Sequence, residues 1–208
     1  MAVEGVLRGT PPGVGRPPVD PITDVLPPAL AARINAFDHA VDARFESLRG
    51  RTWADRLFYG ASALGDFSLI WHLLGTARAL RGPKQEREAV RLSVSLGIES
   101  ALINGVVKSF FRRERPIWDQ HRPRRLRKPT SSSFPSGHAT SGFMAASLLG
   151  EGEPAPVRAL WFGTAAVVAA SRVHVKIHHP SDVVAGAAIG LGLAAVVRKV
   201  RPVGNARR

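Results

Sequence analysis

Apolar residues recur at three- and four-residue steps at Leu30, Ile34, Phe37, Val41, Phe45 and Leu48, with Arg33, Asp38, Asp42, Arg44 and Glu46 between them. That period lays one apolar stripe along an α-helix, and Gly50 is a stop signal, so an N-terminal amphipathic helix is expected over 29–50. Such a helix either packs on the rest of the domain or lies in a membrane interface. From Leu57 the apolar stretches lengthen. Leu57–Leu80 is interrupted by Asp66 and His72, and Val90–Phe111 by Arg91, Glu99, Asn104 and Lys108. Shorter runs follow at His138–Gly150, Ala159–Ala170 and Val183–Val197. None alternates with the period of two that a half-buried strand needs. The expected fold is therefore all-α, a bundle of about five core helices plus the N-terminal one.

A spanning helix needs about 20 mostly apolar residues. The first two long runs reach that length, and the last three reach it only with their flanks. Polar residues inside such segments usually face a bundle interior or a functional cavity. Gly186, Gly190 and Gly192 would let helices approach closely in lipid. These features predict a transmembrane bundle, with a soluble helical bundle as the alternative.

Composition narrows the function classes. The 208 residues suit one domain with a real core, and 45% apolar content excludes a largely disordered chain. The formal charge of +13 asks for an anionic partner: nucleic acid, an anionic membrane surface or a phosphorylated substrate. The absence of cysteine removes disulfides and thiolate chemistry. Met1 to Asp20 has no basic start followed by an apolar run, and carries Pro11-Pro12, Gly13, Gly15 and Pro17-Pro18. We read 1–28 as a flexible segment without a secretion signal, 51–200 as the catalytic helical domain and 201–208 as a basic tail. Few aromatics and no recognition motif argue against nucleic acid.

The candidate chemistry sits at helix boundaries in three clusters. Lys108 and Arg115 are seven residues apart, so they share a helix face if the helix persists as far as Pro116. Pro135-Ser136-Gly137-His138 precedes an apolar helix, whose N-terminus offers unpaired N–H groups to an anion. Ser171-Arg172 is followed by His178 and Asp182, four apart, close enough for the carboxylate to accept a proton from one imidazole nitrogen. Each cluster alone has a bland reading: a solvated helix end, an ordinary loop-to-helix junction, a surface His/Asp pair.

In order and spacing, K-x6-RP, PSGH and SR-x5-H-x3-D together resemble the three-part signature of the type-2 phosphatidic acid phosphatase and vanadium haloperoxidase superfamily. Every signature position is filled between Lys108 and Asp182. The resemblance implies a phosphatase in which His178 attacks phosphorus and forms a phosphohistidine, with Asp182 orienting it and His138 serving as acid and then base. Lys108, Arg115 and Arg172 would surround the phosphoryl oxygens, and Ser136 and the Gly137 N–H would add hydrogen bonds. No metal and no cofactor is implied, and no acidic cluster with metal-ligand spacing appears elsewhere in the sequence.

Among members of that superfamily, the chain resembles the compact membrane enzymes that act on phosphatidic acid, phosphatidylglycerophosphate, or polyprenyl phosphates and diphosphates. A soluble non-specific acid phosphatase and a non-catalytic lipid-binding member are the alternatives. The expected partners are an anionic phospholipid or polyprenyl phosphate substrate and a membrane, with oligomeric state left open. The expected location is a bacterial plasma membrane. Basic residues between the first two long helices and after the last one suggest a cytoplasmic end there, and hence an outward-facing site. The Arg122, Arg124, Arg125, Arg127, Lys128 run runs against that orientation unless it serves the substrate. His121, His174 and His179 are read as surface or site-wall residues.

Overall fold

In the computed structural model the described residues are 20, 22, 24–118, 123, 124, 126, 127 and 129–200. The Pro/Gly-rich start, His121, Arg122, Arg125, Lys128 and the basic tail lie outside them. The described chain is all-helical, in agreement with the apolar periodicities.

The elements are α1 (Pro28–Glu46), α2 (Thr52–Gly65), α3 (Leu69–Ala79), α4 (Pro83–Ser100), a π-helix (Ala101–Val107), α5 (Lys108–Phe110), α6 (Gly137–Leu149), α7 (Ala155–His174) and α8 (Pro180–Val200). Pro28, Pro83 and Pro180 open α1, α4 and α8, where a missing N–H costs nothing and the fixed φ favours helix. From α4 through α5 the helix is continuous, a rod over Pro83–Phe110. At 1.5 Å per residue this rod is about 42 Å long, more than the roughly 30 Å hydrocarbon core of a bilayer.

The run Leu57–Leu80 was expected as one helix and is instead broken. A short 3-10 segment, Asp66–Ser68, separates α2 from α3, and Phe67 and Ser68 both take left-handed backbone angles, φ 53° and 58°. The break falls at the level of the site described below, and the periodicity of the run gave no sign of it.

α6 sits at the centre, and most of its residues from Ala139 to Leu149 are buried. Its Met144, Leu148 and Leu149 form one apolar core with Trp71, Leu92, Leu96, Val168 and Ala194 of the other helices. α8 presses against α6 backbone to backbone. A Cβ on Gly190 would overlap the Thr140 carbonyl, and one on Gly186 would lie 2.5 Å from the Ser136 carbonyl oxygen. At the far end Arg78 clasps the bundle, binding the Leu149 carbonyl (3.1 Å), Glu88 (3.1 Å) and Glu153 (2.7 Å).

The outer surface is apolar where a soluble protein would be polar. Val90, Val94, Ile98, Leu102, Val106 and Phe110 form one exposed row along the rod, and Val184, Leu191, Val196 and Val200 are exposed on α8. Contiguous apolar surface of that extent marks contact with lipid or protein. Among the described residues two helices are long and apolar enough to cross a membrane, Pro83–Phe110 and Pro180–Val200. α3 and α6 are shorter than a bilayer is thick.

Gly190→Ala should lower the melting temperature in detergent, because the added methyl meets a backbone carbonyl; overpacking of this kind costs about 1–3 kcal/mol. Gly163→Ala, whose Cβ would meet nothing within 4 Å, should leave it unchanged or raised. Equal melting of the two variants would contradict the close α6–α8 contact.

Candidate active site

The bundle topology gathers the three motifs at one end: the end of the α4–α5 rod, the start of α6, the end of α7 and the start of α8. At the end of α7, Lys176 turns the chain with φ 48°. The Arg172 carbonyl accepts the N–H groups of Ile177 (3.1 Å) and His178 (3.2 Å), satisfying an end-of-helix carbonyl and locking the turn. Arg172 therefore fixes the loop that delivers His178 as well as adding its own guanidinium. Pro180 then starts α8, and the Asp182 carboxylate in its first turn reaches back to the His179 N–H (2.9 Å).

His178 is 3% exposed. Its Nε2 lies 3.5 Å from an Arg115 guanidinium nitrogen and its Nδ1 lies 3.6 Å from Asp182 Oδ2. The latter is an electrostatic contact, longer than a direct hydrogen bond. Burial pushes the His178 imidazole down to about 3, helped by Arg172 and opposed by Asp182, so the ring is neutral with a free lone pair at ordinary pH.

Asp182 is fully buried and heavily engaged. Oδ1 accepts from Arg113 (2.7 Å), Oδ2 accepts the His179 N–H, and its backbone carbonyl accepts the Ser136 N–H (3.1 Å). Arg113 also donates to Asp38 on α1 (2.8 Å) and to the Ser181 hydroxyl (2.8 Å). Asp38 in turn accepts the Ser181 N–H and hydroxyl, each at 2.7 Å.

The cations are held by their surroundings. Arg115 donates to the carbonyls of Ile177 (2.8 Å), Ser131 (2.9 Å) and Ser132 (3.1 Å). Arg172 is 1% exposed and donates to the Ser62 hydroxyl. Lys108 is buried directly after the π-helix, a distortion often found at functional sites. At the start of α6, Ser136 is fully buried and its hydroxyl has no partner among the described residues. His138 Nε2 lies 3.1 Å from the Ser62 carbonyl and 3.2 Å from Asp66.

Lys108, Gly137, His138, Arg172 and His178 line one cavity of about 400 Å³, with Asp66, Glu99, Asn104 and Arg127 on its other walls. Arg115 borders an adjoining cavity with Lys108, and Ser136, next to the lining residue Gly137, and Asp182 are fully buried. Among the described residues no group of three His, Cys, Asp or Glu side chains is gathered as a metal-ligand set.

Several local expectations change. Lys108 and Arg115 are not joined by two helical turns, because the helix stops at Phe110 and the chain then runs non-helically through Trp118. His178 precedes α8 rather than lying on it. His174 is neither surface nor site wall: it is 1% exposed, bonded to Asp55 at 2.8 Å and packed against Phe58 and Tyr59. His179 lies outside the cavity, its Nε2 3.2 Å from the Glu114 carbonyl. Arg127 is drawn from the basic loop to the cavity, 4.5 Å over the Phe67 ring. Arg113, Asp38, Ser62 and Asp66 were not singled out from the sequence. Asp66 had a signal, being an acid inside an apolar run. Arg113 had none within its basic surroundings.

A profile described as the PAP2 superfamily matches residues 88–205. This chain belongs to the PAP2 superfamily. It is 34% identical over 143 residues to a decaprenylphosphoryl-5-phosphoribose phosphatase of Mycobacterium tuberculosis (strain CDC 1551 / Oshkosh), covering 68% of this chain and 77% of that one. The corresponding protein of Mycolicibacterium smegmatis is 37% identical over 132 residues, covering 61% and 69%. Among solved structures, Aquifex aeolicus LpxE superposes with TM-score 0.63 at 23% identity, over 79% of this chain and 94% of that one. A transmembrane PAP2 type phosphatidylglycerolphosphate phosphatase from Bacillus subtilis does so with TM-score 0.65 at 23% identity, over 90% and 93%. These two structures share the helical fold of this PAP2 protein.

Arg113→Met would leave Asp38 and Asp182 buried without their cation. Removing one partner of such a network costs about 3–5 kcal/mol. A large drop in melting temperature is expected, whereas exposed Arg112→Met should change stability by about 0.5 kcal/mol or less. Similar melting of both variants would overturn the importance of the pairing.

Proposed function

We propose that the protein is a lipid phosphate phosphatase that hydrolyses the phosphomonoester end of a polyprenyl-linked lipid through a phosphohistidine at His178. The observation that carries this reading is the approach of Arg115 to Nε2 of a neutral, buried His178 in a cavity that also holds Lys108 and Arg172. The choice of a polyprenyl-linked substrate rests on the mycobacterial relatives, which act on decaprenylphosphoryl-5-phosphoribose by name.

In the first step the His178 Nε2 lone pair forms a bond to phosphorus while the bond from phosphorus to the leaving oxygen breaks. His138 gives that oxygen its proton. In the second step His138 takes a proton from water, whose oxygen displaces the imidazole and releases inorganic phosphate. Lys108, Arg115, Arg172, the Ser136 hydroxyl and the first N–H groups of α6 neutralise the phosphoryl oxygens in both steps. Phosphoryl transfer needs mainly positioning and charge neutralisation, which these groups supply. The orienting role of Asp182 is electrostatic at 3.6 Å, and it tightens when His178 gains positive charge.

The setting is a membrane, and we infer a bacterial plasma membrane with the site facing outward. Arg78, Arg81, Lys84, Arg87 and Arg91 share the far end of the bundle with Arg198 and Lys199, an excess typical of the cytoplasmic side.

Purified in detergent, the protein should release phosphate from a polyprenyl-linked phosphomonoester, with activity that persists in EDTA and is inhibited by vanadate. His178→Ala should abolish turnover, and robust release by that variant would exclude His178 as the nucleophile. Orientation is accessible because the chain has no cysteine. In intact cells a single cysteine at Ile117 should react with a membrane-impermeant maleimide and one at Leu80 should not; the reverse pattern would turn the site inward.

A further inference from the structure

We infer that Asp66 is the positioning carboxylate of His138, so that the acid/base half of the site is a second Asp–His pair beside His178 and Asp182. The inference rests on the reading of His138 as the proton donor.

The geometry begins with one nitrogen. His138 Nε2 lies between two acceptors, the Ser62 carbonyl at 3.1 Å and the Asp66 carboxylate at 3.2 Å. A ring nitrogen facing two acceptors carries the hydrogen, so the neutral tautomer is set with the proton on Nε2 and the lone pair on Nδ1. Nδ1 is then the atom that exchanges protons with the leaving oxygen and with water. The carboxylate also favours the charged imidazolium that must exist before the proton is given away.

The local backbone is shaped around this contact. Asp66 follows Gly65, where a Cβ would stand 2.5 Å from His138 Cδ2, so the glycine lets the imidazole lie against the end of α2. The next two residues, Phe67 and Ser68, hold left-handed backbone angles that cost non-glycine residues roughly 1–2 kcal/mol each. Strain of this kind persists where surrounding structure enforces it, and it clusters at functional sites. A straight helix through Leu57–Leu80 would avoid that strain and would not present Asp66 in this way. Burial works against the Asp66 charge, but His138, Arg172 and Arg127 together hold the carboxyl below the usual carboxylate range, so it is ionised at neutral pH.

Other charged groups face His138 across the cavity: Arg172 from α7, Lys108 and Glu99 from the α4–α5 rod, Arg127 from the basic loop and His178 from the α7–α8 turn. Of the two carboxylates that line the cavity among the described residues, Asp66 and Glu99, Asp66 is the one against the ring, 3.2 Å from Nε2. Its removal leaves the imidazolium beside Arg172 without its counter-charge. The consequence has a definite sign. A proton donor works below its own pKa, so Asp66→Asn should move the high-pH limb of activity to lower pH.

The test compares detergent-purified wild type, D66N, D66E and H138A on dodecyl phosphate, a poor leaving alkoxide, and p-nitrophenyl phosphate, a good leaving phenolate. D66N should lower kcat on dodecyl phosphate about 10- to 100-fold, part of a general acid's full effect, with KM within about 2-fold. Its high-pH limb should shift down, while the first burst of p-nitrophenol stays within several-fold of wild type. D66E should recover part of the lost rate and the original limb. Equal losses on both substrates with an unmoved limb would assign Asp66 a purely structural role and overturn the inference. If D66N does not fold, D66S is read by the same criteria: a high-pH limb displaced to lower pH supports the proposal, and an unmoved limb overturns it. An H138A enzyme that keeps the wild-type limb removes the proton-donor reading itself, and this inference with it.

Discussion

Asp182 is the point on which the site depends. Its side chain binds Arg113 and the His179 N–H, its carbonyl binds the Ser136 N–H, and it lies 3.6 Å from His178. One residue thereby ties together the segment after α5, the start of α6, the α7–α8 turn and α8 itself. Through Arg113 the connection extends to Asp38 on α1. A buried charged carboxylate is costly unless it is paired and hydrogen-bonded, and Asp182 meets both conditions. The three motifs are distant in sequence and become one site because this carboxylate draws on each for its partners.

The same physics explains how so many cations share so little space. Lys108, Arg115 and Arg172 repel one another around two adjoining, partly desolvated cavities. The two arginines are held by something other than substrate: Arg115 by three backbone carbonyls, Arg172 by Ser62 and by the turn its own carbonyl closes. Prior anchoring of this kind avoids ordering the side chains at the moment of reaction, which is what makes fixed charge effective in catalysis. The neutral His178 fits such surroundings, because a neutral ring can sit among cations and keep a lone pair.

The bundle serves the site by direction as well as by packing. The end of the α4–α5 rod, the start of α6, the end of α7 and the start of α8 all meet there, and the N-terminus of α6 borders the cavity at Gly137 and His138. The close α6–α8 contact at Gly186 and Gly190 brings the N-terminal ends of those helices side by side. The apolar outer rows on the rod and α8 face away from all of this and fit a lipid surround.

The sequence by itself determined the helical class, because the apolar period is a local property of consecutive residues. It also determined the family and the motif residues, because spacing and residue type survive without coordinates. It could not determine which charged residues outside the motifs would be buried together. Arg113 looks like its neighbour Arg112, yet one is 7% exposed between two carboxylates and the other lies at the surface. Likewise, Leu57–Leu80 reads as one mostly apolar run interrupted by Asp66 and His72, and the break at Asp66–Ser68 coincides with a contact to His138 of α6, more than sixty residues further along the chain. Pairing, strain and burial depend on what lies across the bundle, so the resemblance implies a role for His178 while tertiary structure alone decided what surrounds it: Arg115 against Nε2, and an Asp182 already engaged by Arg113.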